Sequence, residues 1–296
     1  MSAALIAVVV VLVAGHMAAS LASLRRFDWL VEWRRYVVGT SMPDGALSGR
    51  AGLLLIVGLP VLLVGLLQLA LHDSLWGLPG FVFATLLLFY CWGPRDLDLD
   101  VDAIVAAPDS EQKRDAAASL LHADPVPPLD GHVLVAAVFN GALRRWFGPL
   151  FWFFLLGPAG ALLYRMIALL GDDAAHDEEP VAQHEDARWL LTALDWPVAQ
   201  LMTIALALAA NFDAVFSAWR EWHAGGLRLD TGFLAAAARA SVDVEIADDD
   251  TDLPDGDAIA ASPALLELRD AMSLVWRMLL LWLAVIAIFV IAHLIG

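Results

Sequence analysis

Apolar residues in this chain are gathered into long charge-free blocks, and the charges fall between them. Six blocks stand out, at residues 3–24, 51–71, 75–92, 147–164, 196–210 and 273–295. A helix rises ~1.5 Å per residue, so about 20 apolar residues cross a ~30 Å hydrocarbon core. Backbone in lipid must satisfy its own hydrogen bonds, which predicts a helix for each block. The first block has no charge ahead of it and Arg25, Arg26, Arg34 and Arg35 behind it. That is the reverse of a cleaved signal peptide, and the block is expected to remain as a helix. Only His72-Asp73-Ser74 separates the second block from the third, which predicts a hairpin across the bilayer. The fourth is interrupted by Gly157-Pro158 and Gly160, and the fifth is short for an unaided span. These two either cross as a pair, giving six spans, or stay at the cytoplasmic interface, giving four.

The connections carry their own patterns. In residues 131–146, Val135, Phe139, Leu143 and Trp146 share one face at helical spacing, and Arg144-Arg145 are expected to end that helix. Phe212, Val215, Phe216, Trp219 and Trp222 form a second one-sided stripe, opposite Asp213, Arg220 and Glu221. Such a stripe suits a helix lying in the headgroup region. Residues 243–257 are acidic and poor in apolar side chains, and are expected to be a mobile connection. Ser262-Pro263 reads as a helix cap followed by a first-turn proline. The expected fold is all-α: one polytopic membrane domain over residues 1–296, with about four to six transmembrane helices and cytoplasmic amphipathic helices.

Composition agrees. Of 296 residues, 60% are hydrophobic, against about 45–50% in an average soluble domain. The net charge of −17 resides mainly in the connections and supplies no basic stripe, which argues against nucleic acid as a partner. A lone cysteine, Cys91, excludes an internal disulfide. Fifteen of the 17 Lys and Arg residues fall in segments 25–50, 93–146 and 211–277. By the positive-inside rule that side is cytoplasmic, so both termini are expected in the periplasm. Trp29, Trp33, Trp76, Trp92, Trp146, Trp196 and Trp276 stand near predicted helix ends, where an indole ring prefers the interface.

Candidate chemistry is sparse. Asp96, Asp98, Asp100 and Asp102 alternate with apolar residues, and Asp96 and Asp98 are weak candidates for a hard cation. The spacing lacks the glycine and terminal acid of an EF-hand loop, so a solvated acidic edge is the favoured reading. His16 lies in the middle of the first block, where an ionisable group is a functional candidate by default. Gly157-x-x-Gly160-Ala161 either lets two helices approach closely or, with Pro158 breaking the helix and Arg165 beyond it, presents free amides to an anion. Asp195-Trp196-Pro197 is suited to capping a helix, and Asn211-Phe212-Asp213 brackets the same block at its other end. No nucleophile triad, nucleotide loop or zinc motif occurs, and no cofactor is expected.

Pro149-Leu-Phe-Trp152, Leu156-Gly-Pro-Ala-Gly-Ala-Leu-Leu-Tyr-Arg165 and Leu194-Asp-Trp-Pro197 through Ala-Asn-Phe212 resemble the AmpE family. The resemblance implies a bacterial inner-membrane protein tied to regulation of β-lactamase induction, with a protein partner in cell-wall recycling. More distantly, the same pattern resembles the CobD/CbiB family, which forms amides with ATP in cobalamin biosynthesis. The acid-Asn-x-x-Asp and Asn-x-x-Asp motifs of that family fall here on Asn140, Gly141 and Arg144, and on Ala168 and Gly171. The resemblance thus implies a scaffold kept and ligase equipment lost, hence a non-enzymatic modulator. An amide synthase and a carrier for an anionic solute are the alternatives.

Overall fold

The computed structural model describes residues 6–12, 27–40, 50–72, 78–92, 97–121, 130–172, 181–226, 228–252 and 263–295. Among them every regular element is helical. Residues 6–12 form a helical stretch. In chain order there follow α1 (Asp28–Thr40), α2 (Arg50–His72), α3 (Leu78–Cys91), α4 (Leu97–Ala106), α5 (Ser110–Leu121) and α6 (Gly131–Ala142). A π-helical turn, Leu143–Phe147, leads into α7 (Gly148–Leu156), α8 (Pro158–Asp172) and α9 (Val181–Ala209). The chain continues with α10 (Phe212–Trp222), a 3₁₀ turn (His223–Gly225), α11 (Gly232–Asp252) and α12 (Pro263–Ile295).

Three of these helices hold stretches long and apolar enough to cross a membrane: Ala51–Leu71 in α2, His184–Ala209 in α9 and Ala264–Ala292 in α12. In α2 a broad face remains bare, with Leu54, Leu62, Leu63, Leu66 and Leu69 all exposed. Leucines in that number on one helix belong against lipid rather than water. The fifth block was expected to be short. Instead α9 starts at Val181, because Pro197 is accommodated inside the helix rather than at its start. A proline removes one i−4 hydrogen bond, a loss that a long, packed helix absorbs.

The chain divides into two compact units. The first comprises residues 1–94, 148–195 and 290–296, and the second residues 95–147 and 196–289. In the first, α8 packs against α2, α3 and α7. Its core holds Leu150, Phe153, Tyr164, Met166 and Ile167. In the second, α6 packs against α4, α5 and α11, and α11 against α10. Val135, Phe139, Leu143 and Trp146 are all buried, as their shared face predicts.

Expectations for the two arginines, the acidic stretch and two of the tryptophans also need correction. Arg144-Arg145 do not end the helix that starts at Gly131, because the chain passes through the π turn with Arg145 buried and paired to Asp100. The acidic residues 243–252 are helical within α11, whose Ala237, Ala238, Ser241 and Val242 are buried on the face that precedes them. Packing of that face outweighs the weak helix preference of aspartate. Trp92 and Trp146 are buried in protein rather than placed as interfacial anchors, and Trp146 packs at a tilt against Trp276 with ring centroids 5.2 Å apart.

Candidate functional site

In the first unit the polar residues of the apolar blocks meet at two places. One is the break between α7 and α8. Gly157 adopts φ +73°, a left-handed conformation that costs any other residue a Cβ clash. Its N–H closes α7 on the Phe153 carbonyl at 2.8 Å. Pro158, which lacks an N–H, then opens α8. The next amides are all engaged: Ala159 N–H donates to Gln68 Oε1 at 3.2 Å, and Gly160 and Ala161 donate to the Gly157 carbonyl at 3.0 and 3.3 Å. Gln68 Nε2 also donates to the Leu156 carbonyl, at 3.4 Å. One side chain from α2 therefore bridges both sides of the break.

This removes the basis for an anion site at that break. A helix start binds an anion through unsatisfied N–H groups, and these are occupied from within the protein. The packing alternative describes the glycines better. A Cβ on Gly160 would run into the Trp152 carbonyl, and one on Gly157 would lie 2.5 Å from Gln68 Nε2.

The second meeting point is Tyr164. Its ring is fully buried, and its hydroxyl donates to Asp195 Oδ1 at 2.6 Å. Gly148 sits against the ring with no room for a side chain. Trp152 Nε1 donates to the Leu194 carbonyl at 3.3 Å, so α7 and α8 both anchor to the same turn of α9. Asp195 is therefore an internal helix residue, 2% exposed, and not a cap. Its carboxylate is occupied by a tyrosine 31 positions away, a partner that local reading of Asp-x-Pro does not reveal. Arg165, on the next position of α8, is also buried, with its guanidinium carbon 6.0 Å from the centre of the Phe27 ring. Phe27 in turn packs on Tyr90 at 4.4 Å, and Tyr90 accepts a 2.7 Å hydrogen bond from Trp29 Nε1.

The second unit holds a buried ion pair unforeseen in the sequence. Arg145 Nη1 lies 2.5 Å from Asp100 Oδ2, with both side chains almost wholly removed from solvent. Ser119 Oγ stands 3.5 Å from the other carboxylate oxygen. Residues 97–106 are helical, so the alternating aspartates diverge. Asp100 turns inward, which corrects its reading as part of a solvated edge, while Asp98 accepts a 3.0 Å hydrogen bond from Trp276 Nε1. Asp96 and His16 lie outside the described residues. No group of three or more His, Cys, Asp or Glu able to hold a metal occurs among the described residues. Asn211 caps α10, its Oδ1 accepting from Ala214 N–H at 3.0 Å. On α10, Phe212 and Phe216 stack at 5.8 Å and Phe216 and Trp219 at 6.0 Å, while Phe212, Phe216 and Trp222 stay exposed.

Where the amide-synthase motif would place Asn-x-x-Asp, Ala168 is buried in the core of the first unit. A Cβ on Gly171 would lie 2.9 Å from Leu191 Cδ2 of α9. These positions serve close helix packing. In the second unit, a Cβ on Gly141 would lie 2.9 Å from Leu97 Cδ1, while Asn140 is exposed and Arg144 half-buried. No family model, curated protein or solved structure matches this chain.

Proposed function

We propose that this chain is a non-enzymatic modulator in the bacterial inner membrane, of the AmpE kind, acting in β-lactamase induction and the cell-wall stress response. One observation carries the reading. The segments in which the chain resembles that family are 149–152, 156–165 and 194–197 through 212, and residues of all three knit the first unit together. Trp152 reaches Leu194, Tyr164 reaches Asp195, and Gly157 and Gly160 form the break that Gln68 bridges. Letters that carry a family likeness and also fix helix positions are the letters of a scaffold. The tight fit of Leu191 against Gly171 supports a non-catalytic role, since a carboxylate at 171 would displace that leucine. The arginine distribution supports cytoplasmic placement of segments 25–50, 93–146 and 211–277 with both termini periplasmic, where the acidic connections and exposed face of α10 would be open to a cytoplasmic or membrane partner.

The test is deletion of the gene in a strain with inducible β-lactamase. Deletion should alter induction by a β-lactam, and the wild-type chain should restore it. Unchanged induction would reject this reading. Rescue of a strain lacking the cobalamin amide synthase would instead favour the enzymatic alternative.

A further inference from the structure

We propose that a cleft in the second unit, formed by Asn211, Ser241 and Glu245 beside Arg277, binds the headgroup of an aminophospholipid. The ammonium sits on Glu245 and Ser241, and the phosphate on Arg277 and Asn211. This rests on the reading that the chain lies in a membrane.

The cleft encloses about 260 Å³ and is also lined by Ala210 and Val244. That is just below the ~300–1,000 Å³ of pockets for drug-sized molecules, and suits a small polar group. Ser241 is 1% exposed, yet its Oγ has no hydrogen-bond partner among the described residues. Glu245 Oε1 accepts from Arg277 Nη1 at 2.9 Å, while its buried Oε2 has no partner among those residues. Buried acceptors without donors are costly, and each such group in a folded protein calls for a ligand or a bound water. A primary ammonium brings three N–H donors. It can satisfy Glu245 Oε2 and Ser241 Oγ together and keep a third for solvent or its own phosphate.

The opposite charge has its receptor in place. Arg277 is not in the cleft lining but pairs with Glu245 there; it spends Nη1 on that pair, is half exposed, and keeps further N–H donors of its guanidinium fork for a phosphate. Asn211 uses Oδ1 to cap α10, which leaves its Nδ2 donors for a phosphate or ester oxygen. The depth in the membrane also fits. The apolar stretch of α9 ends at Ala209, one residue before the cleft. The exposed aromatic stripe of α10 starts at Phe212, one residue beyond it. Ends of apolar helices beside aromatic rings mark headgroup depth.

A quaternary choline headgroup has no N–H and cannot satisfy Glu245 or Ser241, so the site should discriminate. The test is a lipid titration of the detergent-purified full chain, read by native mass spectrometry, with phosphatidylethanolamine and phosphatidylcholine of identical acyl chains. Wild type should retain the ethanolamine lipid at least about tenfold better, the factor that one charge-assisted hydrogen bond supplies. Glu245→Gln should bring the ratio close to one, and Ser241→Ala should lower it severalfold. Equal retention of the two lipids by wild type would overturn the proposal, as would a ratio unchanged in Glu245→Gln. If that variant does not fold, the wild-type ratio alone decides. Free O-phosphoethanolamine, added at the lipid's concentration, should not displace it. Displacement would reassign the cleft to a soluble phosphoamine and reject the lipid. A lost preference in a chain that still fractionates with membranes and alters β-lactamase induction rejects the cleft alone, not the proposed function.

Discussion

Replacing Gly157 by alanine tests the join between α7 and α8 in two independent ways. The residue holds φ +73°, where an L side chain costs about 1–2 kcal/mol. The new Cβ would also lie 2.5 Å from Gln68 Nε2, so the Gln68 amide must withdraw from Ala159 N–H and the Leu156 carbonyl. Each hydrogen bond lost there is worth about 1 kcal/mol, and more if the orphaned amide stays dry. Gly157→Ala should therefore destabilise by roughly 2–4 kcal/mol. Gln68→Ala alone removes the hydrogen bonds without backbone strain and should cost roughly 1–3 kcal/mol. In the double variant the clash no longer exists and the two lost hydrogen bonds are counted once, so the total should fall short of the sum by about 2 kcal/mol, as a coupled pair does. Equilibrium unfolding in detergent micelles, monitored by helical circular dichroism, gives all three values. Gly157→Ala matching wild type in stability, or strict additivity in the cycle, would refute the role given to Gln68.

Three further expectations use the same assay. Tyr164→Phe removes the 2.6 Å hydrogen bond to Asp195 and should cost about 1–3 kcal/mol. Arg145→Met leaves Asp100 without its buried ion partner and should destabilise by about 3–5 kcal/mol; adding Asp100→Leu should recover most of the loss, since a buried pair is often no more stable than apolar residues of similar size. Gly148→Ala pushes a methyl group into the buried Tyr164 ring and should cost about 1–3 kcal/mol, and its effect should shrink in a Tyr164→Ala background.

How far the chain could be read from its letters depended on the range of the interaction. The block at 51–71 and the stripe Val135, Phe139, Leu143, Trp146 are local periodicities, and both emerged as drawn. The fates of Asp195 and Arg145 turned on partners 31 and 45 positions away, and no local motif encodes such a pairing. Asp-x-Pro reads as a cap when seen alone, yet Tyr164 from α8 claims the carboxylate and holds it inside a helix. One distant partner did leave a signal. Gln68 is the sole strongly polar side chain in the 51–71 block, and an amide in an apolar helix needs backbone groups to bond. The break at Gly157-Pro158 is a source of such groups. The helix over residues 243–252 is a local effect that acidic composition conceals: the run of alanines before it packs and carries the acidic turns along.

All of this presupposes a chain whose bare leucines and valines face lipid. Alkaline carbonate extraction of membranes from cells expressing the full chain tests that most directly, because it strips peripheral proteins and leaves embedded helices behind. The chain should stay in the pellet with known integral proteins. Its release into the supernatant would contradict the account at its root.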